Sequence, residues 1–145
     1  GRPTVPILNI LPNPSNPNSK NSVMAKSWTQ WFEIPVADFD RGKRFYEQIF
    51  QMEIHVLDLG ENFKMGYFPH GGVGGAICWG EWYKPCAGGT LVYLDANPDL
   101  SEVQNRIEAA GGKILQPKKQ ISPEYGFMAL FEDSEGNRLA LHSQT

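Results

Sequence analysis

A strand, a helix cap and an amphipathic helix appear in this chain twice, and that repeat limits the folds open to it more than any other feature. The first copy spans Trp31 to Phe50, WFEIPVADFDRGKRFYEQIF. In its β-prone start, Phe32, Ile34 and Val36 fall on one face and Trp31 and Glu33 on the other. Asp38 suits an N-cap, because its carboxylate can accept from the free N–H groups of a first helical turn. Phe39, Phe45, Tyr46, Ile49 and Phe50 then recur at helical spacing beside Arg41, Lys43, Arg44, Glu47 and Gln48. After Gly89 the plan returns: Leu91 to Leu94 is β-prone, Asp99 and Glu102 are spaced as a capping box, and Leu100, Val103, Ile107 and Ala110 form a stripe that Gly111 ends. Val36 and Leu94 are 58 residues apart, as are Phe45 and Val103. Two copies at that period predict a duplicated supersecondary unit, since a solenoid needs three or more shorter repeats to bury its faces.

The segments between the copies complete two equal halves. Glu53 to Leu59 and Phe63 to Phe68 alternate as strands around a Gly60-Glu61-Asn62 turn, and Ala76 to Trp79 is a further short strand. His55 reads as a surface position. In the second half, Lys113 to Leu115 starts a strand that Pro117 is expected to end, and Phe127 to Glu132 pairs with Arg138 to His142 across Asp133 to Asn137. Each half therefore reads β-α-β-β-β, an α+β chain of two βαβββ modules, at about residues 28–83 and 88–143. With 145 residues, 41% of them hydrophobic, both modules share a single domain over 28–145. The glycines from Gly71 to Gly75 are not a phosphate loop, because a strand and not a helix follows them.

Composition excludes several classes of function. A net charge of −3 and the absence of a basic stripe argue against nucleic acid. No apolar run is long enough to span a bilayer, and two cysteines, Cys78 and Cys86, cannot staple a domain of this size, so the expectation is a reduced, cytoplasmic protein without membrane attachment. A Cys78–Cys86 bridge between adjacent strands is the alternative, and zinc lacks the paired spacing it needs. Residues 1–27 interleave prolines and asparagines and predict an extended or disordered arm, with Met24 a second candidate start.

Four marks in order resemble the vicinal oxygen chelate superfamily of glyoxalases, bleomycin-resistance proteins and ring-cleaving dioxygenases. They are Val36-Ala37-Asp38 after a strand, the helix start from Arg41 to Tyr46, the helix end Glu108-Ala109-Ala110-Gly111-Gly112, and the hairpin from Asp133 to Leu139. The resemblance implies a curled, cup-like mixed sheet around a ligand site, and a homodimer. It also implies four metal-ligand positions, one on the first and last strand of each module. The first falls on Trp31, the third near Gly89 or Thr90, the fourth on Ala140, and the second within Val73 to Gly80, which contains no acid and no His. Indole, hydroxyl and methyl groups do not replace carboxylate and imidazole around a divalent ion, so no metal or other cofactor is expected.

What the resemblance leaves is a cup that binds a small organic molecule. Its candidate lining is Trp31, Glu33, His70, Tyr93, Phe127 and His142, with Cys78 or Trp79 according to strand parity. Trp79, Trp82 and Tyr83 form an aromatic cluster that reads either as a binding wall or as a dimer seam. Glu33 and His142 are the candidate catalytic pair, a carboxylate and an imidazole for proton transfer. Two functions follow: an organic-molecule binder that performs no chemistry, or a lyase- or dioxygenase-type enzyme using a rebuilt divalent metal site or metal-free acid–base chemistry at Glu33 and His142. A third is a partner-binding module that uses the Pro/Asn arm.

Overall fold

The computed structural model describes residues 26–145. The Pro/Asn arm expected over 1–27 lies almost entirely outside the described residues. The chain divides into two units at the boundary between residues 30 and 31. In the described part of the first, Lys26 Nζ sits 4.6 Å above the Trp28 ring.

The second unit contains β1 (Trp31–Pro35), α1 (Phe39–Phe50), β2 (His55–Asp58), β3 (Phe63–Tyr67), β4 (Gly74–Gly80), β5 (Tyr93–Asp95), α2 (Leu100–Ile107), β6 (Lys113–Ser122), β7 (Gly126–Glu132) and β8 (Arg138–Ser143). These are the two expected βαβββ modules. Each builds a four-stranded mixed sheet, in the orders β1-β4-β3-β2 and β5-β8-β7-β6. The first and last strand of a module run parallel, with Glu33 opposite Ala76 and Tyr93 opposite Ala140, and the hairpins are antiparallel. Both helices pack against one face of the sheets. Phe45, Tyr46 and Ile49 of α1 and Leu100, Val103 and Ile107 of α2 share one core with Ile34, Ile77, Leu94, Phe131 and Leu141. The 58-residue spacing is visible in this burial, since Phe45 and Val103, and Ile49 and Ile107, are buried pairs.

The caps form where they were expected, with one difference. Asp38 accepts from Arg41 N at 3.0 Å and Asp99 from Ser101 N at 2.9 Å. Glu102 does not return the reciprocal bond of a capping box. Lys118 Nζ instead reaches Asp99 Oδ1 at 2.8 Å, and with the Ser101 bonds this pulls the Asp99 carboxyl down to about 2.

Among the strand boundaries that differ from the sequence reading, those of β6 and β4 differ for identifiable reasons. Pro117 does not end its strand. β6 continues to Ser122 as the outer strand of its sheet, and its pairing with β7 shifts register between Gln116 and Lys119, where a residue without an N–H costs no ladder bond. At β4, Gly74 and Gly75 belong to the strand, because they pair with Trp31 and Phe32 of β1, and the Phe32 ring lies where a Cβ on Gly75 would stand.

The modules are joined by the turn between β7 and β8. Asp133 is buried and accepts four hydrogen bonds: from the Glu135 and Asn137 amides, from Asn137 Nδ2, and from Tyr46 Oη of α1 at 2.7 Å. Burial pushes the Asp133 carboxyl up, against the pull of those bonds. Burial also pushes the Tyr46 hydroxyl well up, and the Asp133 charge adds to it. Glu135 reaches back to the start of α1. Its Oε1 accepts from the Ala37 and Asp38 amides at 3.0 and 2.8 Å, and Arg41 grips both carboxylate oxygens, with Nε at 2.6 Å. Burial alone would raise the Glu135 carboxyl, but the bonds from Arg41, Asp38 and Ser134 bring it net below its ordinary value.

Two outcomes test this account. Gly42 lies in α1 where an added Cβ would stand 2.7 Å from Val36 Cγ1. Gly42→Ala should therefore lower stability in urea unfolding by about 1–3 kcal/mol, although alanine is the better helix former. Because the Glu135 carboxyl is held low in the folded chain, its contribution is fully present above the ordinary carboxylate range and is lost as pH falls through the lowered folded value. The stability difference between wild type and Glu135→Gln should be largest near neutral pH and shrink below about pH 4; a gap that widens toward acid would contradict the assignment.

Candidate functional site

Strand alternation gives each sheet one face covered by the helices and one turned away from them. On β1, Ile34 points into the core, so Trp31 and Glu33 project from the other face. On β4, Ile77 points inward and Trp79 packs against the core with Lys64 Nζ 5.8 Å from its ring, which leaves Cys78 on the face of Glu33. Parity thus selects Cys78 and places Trp79 on the helix side. The same logic puts Phe127 on the helix side of the second sheet, against the core and beneath Lys118 Nζ at 4.5 Å.

Glu33 is the centre of the open face of the first sheet. Its Oε1 accepts from Tyr83 Oη at 2.9 Å and its Oε2 from Cys78 Sγ at 3.4 Å. Cys78 is fully buried, and burial first, then the Glu33 charge, pushes its thiol up to about 12. Burial likewise pushes the Tyr83 hydroxyl up, helped by its bond to Glu33. Both donors therefore stay protonated at neutral pH and aim their protons at the carboxylate. The Tyr83 ring stacks on Phe63, with centroids 5.6 Å apart. Tyr83 is brought in by the segment after β4, 50 residues from Glu33, and the aromatic run around Gly80 was its only trace in the sequence.

Trp31 stands two residues before Glu33, 39% exposed, and meets the His70 ring edge-on at 5.9 Å. A 3.1 Å bond from Nδ1 to Gly72 O holds that imidazole over Gly74. On the second sheet, Tyr93 is exposed beside Ala140, and His142 donates from Nε2 to Tyr125 O at 2.6 Å. Trp31 with His70, and Glu33 with Cys78, are thus brought together, whereas Glu33 and His142 lie on different sheets and share no hydrogen bond. Among the described residues, no three His, Cys, Asp or Glu side chains gather as a metal-binding group. Cys78 and Cys86 are both free thiols, so the alternative of a bridge between them is not realised. No described helix is long and apolar enough to cross a membrane.

A family model described as the Glyoxalase/Bleomycin resistance protein/Dioxygenase superfamily matches residues 28–141. No curated protein matches the sequence at a significant level. Solved structures similar to this chain include a hypothetical protein from S. aureus, at TM-score 0.58 and 16% identity over 85% of this chain and 98% of that one. A glyoxalase-related enzyme from Fulvimarina pelagi superposes at TM-score 0.60 and 15% identity, over 81% of this chain and 88% of the other. A glyoxalase I mutant from Zea mays gives TM-score 0.63 and 19% identity over 81% of this chain but only 45% of its own. At these identities the likeness establishes the fold.

The two thiols should differ sharply in reactivity. With Cys86 exposed and Cys78 buried and held protonated, iodoacetamide at pH 7.5 should alkylate Cys86 and leave Cys78 unmodified until the chain is denatured. Peptide mapping by mass spectrometry reads this directly, and rapid labelling of Cys78 in the folded protein would refute the closed Glu33 contact.

Proposed function

The chain belongs to the Glyoxalase/Bleomycin resistance protein/Dioxygenase superfamily, and from that premise we propose that it binds a small organic molecule on the faces its helices leave uncovered, without the metal centre used by the family's enzymes. The observation that carries this reading is the donor set. Positions corresponding to the family's metal ligands hold the Trp31 indole, Gly89 or Thr90, and the methyl of Ala140, which lies buried between Tyr93 and Leu130. The β4 stretch that should supply the remaining ligand offers the thiol of Cys78, already committed to Glu33. Three or four hard oxygen or imidazole donors are needed to hold a catalytic divalent ion, and these side chains do not provide them. The residues thus do not fit the ion, and no chemical step is routed through one.

What these faces do offer is apolar and aromatic area with few polar groups. Trp31, Met65, Tyr67 and the Tyr83–Phe63 stack surround one carboxylate, a composition suited to enclosing an organic body and orienting it by one polar contact. Homodimerisation belongs to the same reading, since family members commonly complete their clefts between subunits.

Protein purified without an affinity tag should contain far less than one equivalent of Zn, Mn, Ni or Fe by plasma mass spectrometry. Its melting temperature should not move with EDTA or with added divalent ions, because an ion that binds only the folded state would raise it. A near-stoichiometric ion, or a melt that chelator lowers, would overturn the proposal.

A further inference from the structure

The open face of the first sheet also carries information about the charge of its ligand. Glu33 accepts from two neutral donors, Tyr83 Oη and Cys78 Sγ. Among the described residues, the ion pairs are Arg41–Glu135, Lys43–Glu47 and Lys118–Asp99, and none involves Glu33. The nearest strand cation, Lys64, is turned to the opposite face over Trp79. Ala76 opposite Glu33, and Cys78 and Met65 opposite each other beyond it, are all uncharged. The His70 imidazole is engaged with Gly72 O and the edge of Trp31. A carboxylate has about four acceptor positions, and two neutral bonds leave both capacity and net negative charge.

The groups around that charge are aromatic: Trp31 two residues away on the same strand face, and Tyr83, whose hydroxyl bonds the carboxylate and whose ring stacks on Phe63. A negative group among aromatic side chains attracts a positive centre through the carboxylate and, where that centre meets a ring face, through the ring quadrupole, and it repels an anion. We infer that this face recognises an organic cation, a quaternary or protonated tertiary amine on an apolar or aromatic body, with Glu33 as counter-charge and Trp31, Tyr83 and Phe63 as walls. The inference rests on the proposal that this face is a ligand site, and it specifies the class of ligand. A bare metal ion is a poor alternative occupant, because one carboxylate beside a thiol and a phenol that both keep their protons leaves it short of donors.

The experiment uses the full chain and three probes that share a naphthalene body: (naphthylmethyl)trimethylammonium, naphthylmethanol and naphthylacetate. Binding is followed by calorimetry and by NMR of the tryptophan indole N–H groups. The ammonium should bind about tenfold more tightly than the alcohol, and the acetate weakest. Glu33→Gln, at an exposed position and nearly isosteric, should abolish the preference for the ammonium while the alcohol still binds. Should that variant misfold by circular dichroism, the wild type still decides: raising NaCl from about 50 to about 500 mM should weaken the ammonium and leave the alcohol unchanged. Equal binding of alcohol and ammonium, stronger binding of the acetate, or an ammonium preference that survives Glu33→Gln or is insensitive to salt sinks the cation inference alone. If none of the three binds, the reading of this face as a ligand site fails, and the cation inference fails with it.

Discussion

Everything else in this fold depends on one buried turn that the second module lends to the first. Asp133, Glu135 and Asn137 sit within five residues between β7 and β8, yet most of their bonds leave the turn. Asp133 holds Tyr46 of α1, Glu135 caps the same helix at Ala37 and Asp38 and chelates Arg41, and Asn137 Nδ2 donates to Pro35 O of β1 at 2.7 Å. A buried carboxylate is tolerable only when its lone pairs are filled, and Asp133 fills all of them. The first helix is therefore capped twice, by Asp38 within its own chain segment and by Glu135 from nearly a hundred residues away. The two helices pack against each other and are tied once directly, Arg106 Nη1 of α2 donating to Ile49 O of α1 at 3.1 Å; the turn adds to that tie by pinning the end of one strand and the start of one helix with directional bonds.

The duplicated plan makes the divergence between modules easy to see. The helices keep equivalent buried positions, because the core tolerates apolar exchanges of similar volume. The uncovered faces have no such restraint. The first module presents Trp31, Glu33 and Cys78, the second Tyr93, Ala140 and His142, on strands paired in the same parallel manner. His142 is tied to Tyr125 O, whereas Glu33 is tied only to neutral donors. The two uncovered faces thus differ in side-chain chemistry although their strands pair alike.

How far the sequence could be read follows from the range of the interactions. Caps, hairpin turns and the alternation of β1 are local, and Asp38, Asp99, Gly60 and Gly136 mark them where they occur. The family marks reached further, because the Asp133 to Leu139 hairpin and the start of α1 are the two ends of the buried junction, although nothing in their spacing showed that they touch. Pro117 misled because its cost depends on whether its strand has a neighbour on both sides, a property of the sheet rather than of the segment. Parity left Cys78 and Trp79 open until the position of Ile77 in the core settled which of them shares a face with Glu33. Tyr83 was legible as an aromatic and not as a partner of Glu33, since 50 residues of chain separate them.

That last contact connects the junction to the site. Asn137 uses both ends of its side-chain amide between the modules: Nδ2 donates to Pro35 O on β1, and Oδ1 accepts from Cys86 N in the linker after β4 at 3.0 Å. Pro35 lies two residues from Glu33, and Cys86 three from Tyr83. One buried amide therefore fixes the strand that carries the carboxylate relative to the segment that carries its phenol. The linker from Glu81 to Thr90 contains no helix or strand and is largely exposed, so the Cys86 bond to Asn137 adds to the Tyr83–Phe63 stack and the Tyr83 N–H bond to Gly80 O in holding it. Asn137 touches neither Glu33 nor Tyr83, so its part is that of a positioning residue. The same five-residue turn that satisfies a buried acid in the core thereby bears on the spacing of Glu33 and Tyr83, the two groups at the centre of the proposed ligand face.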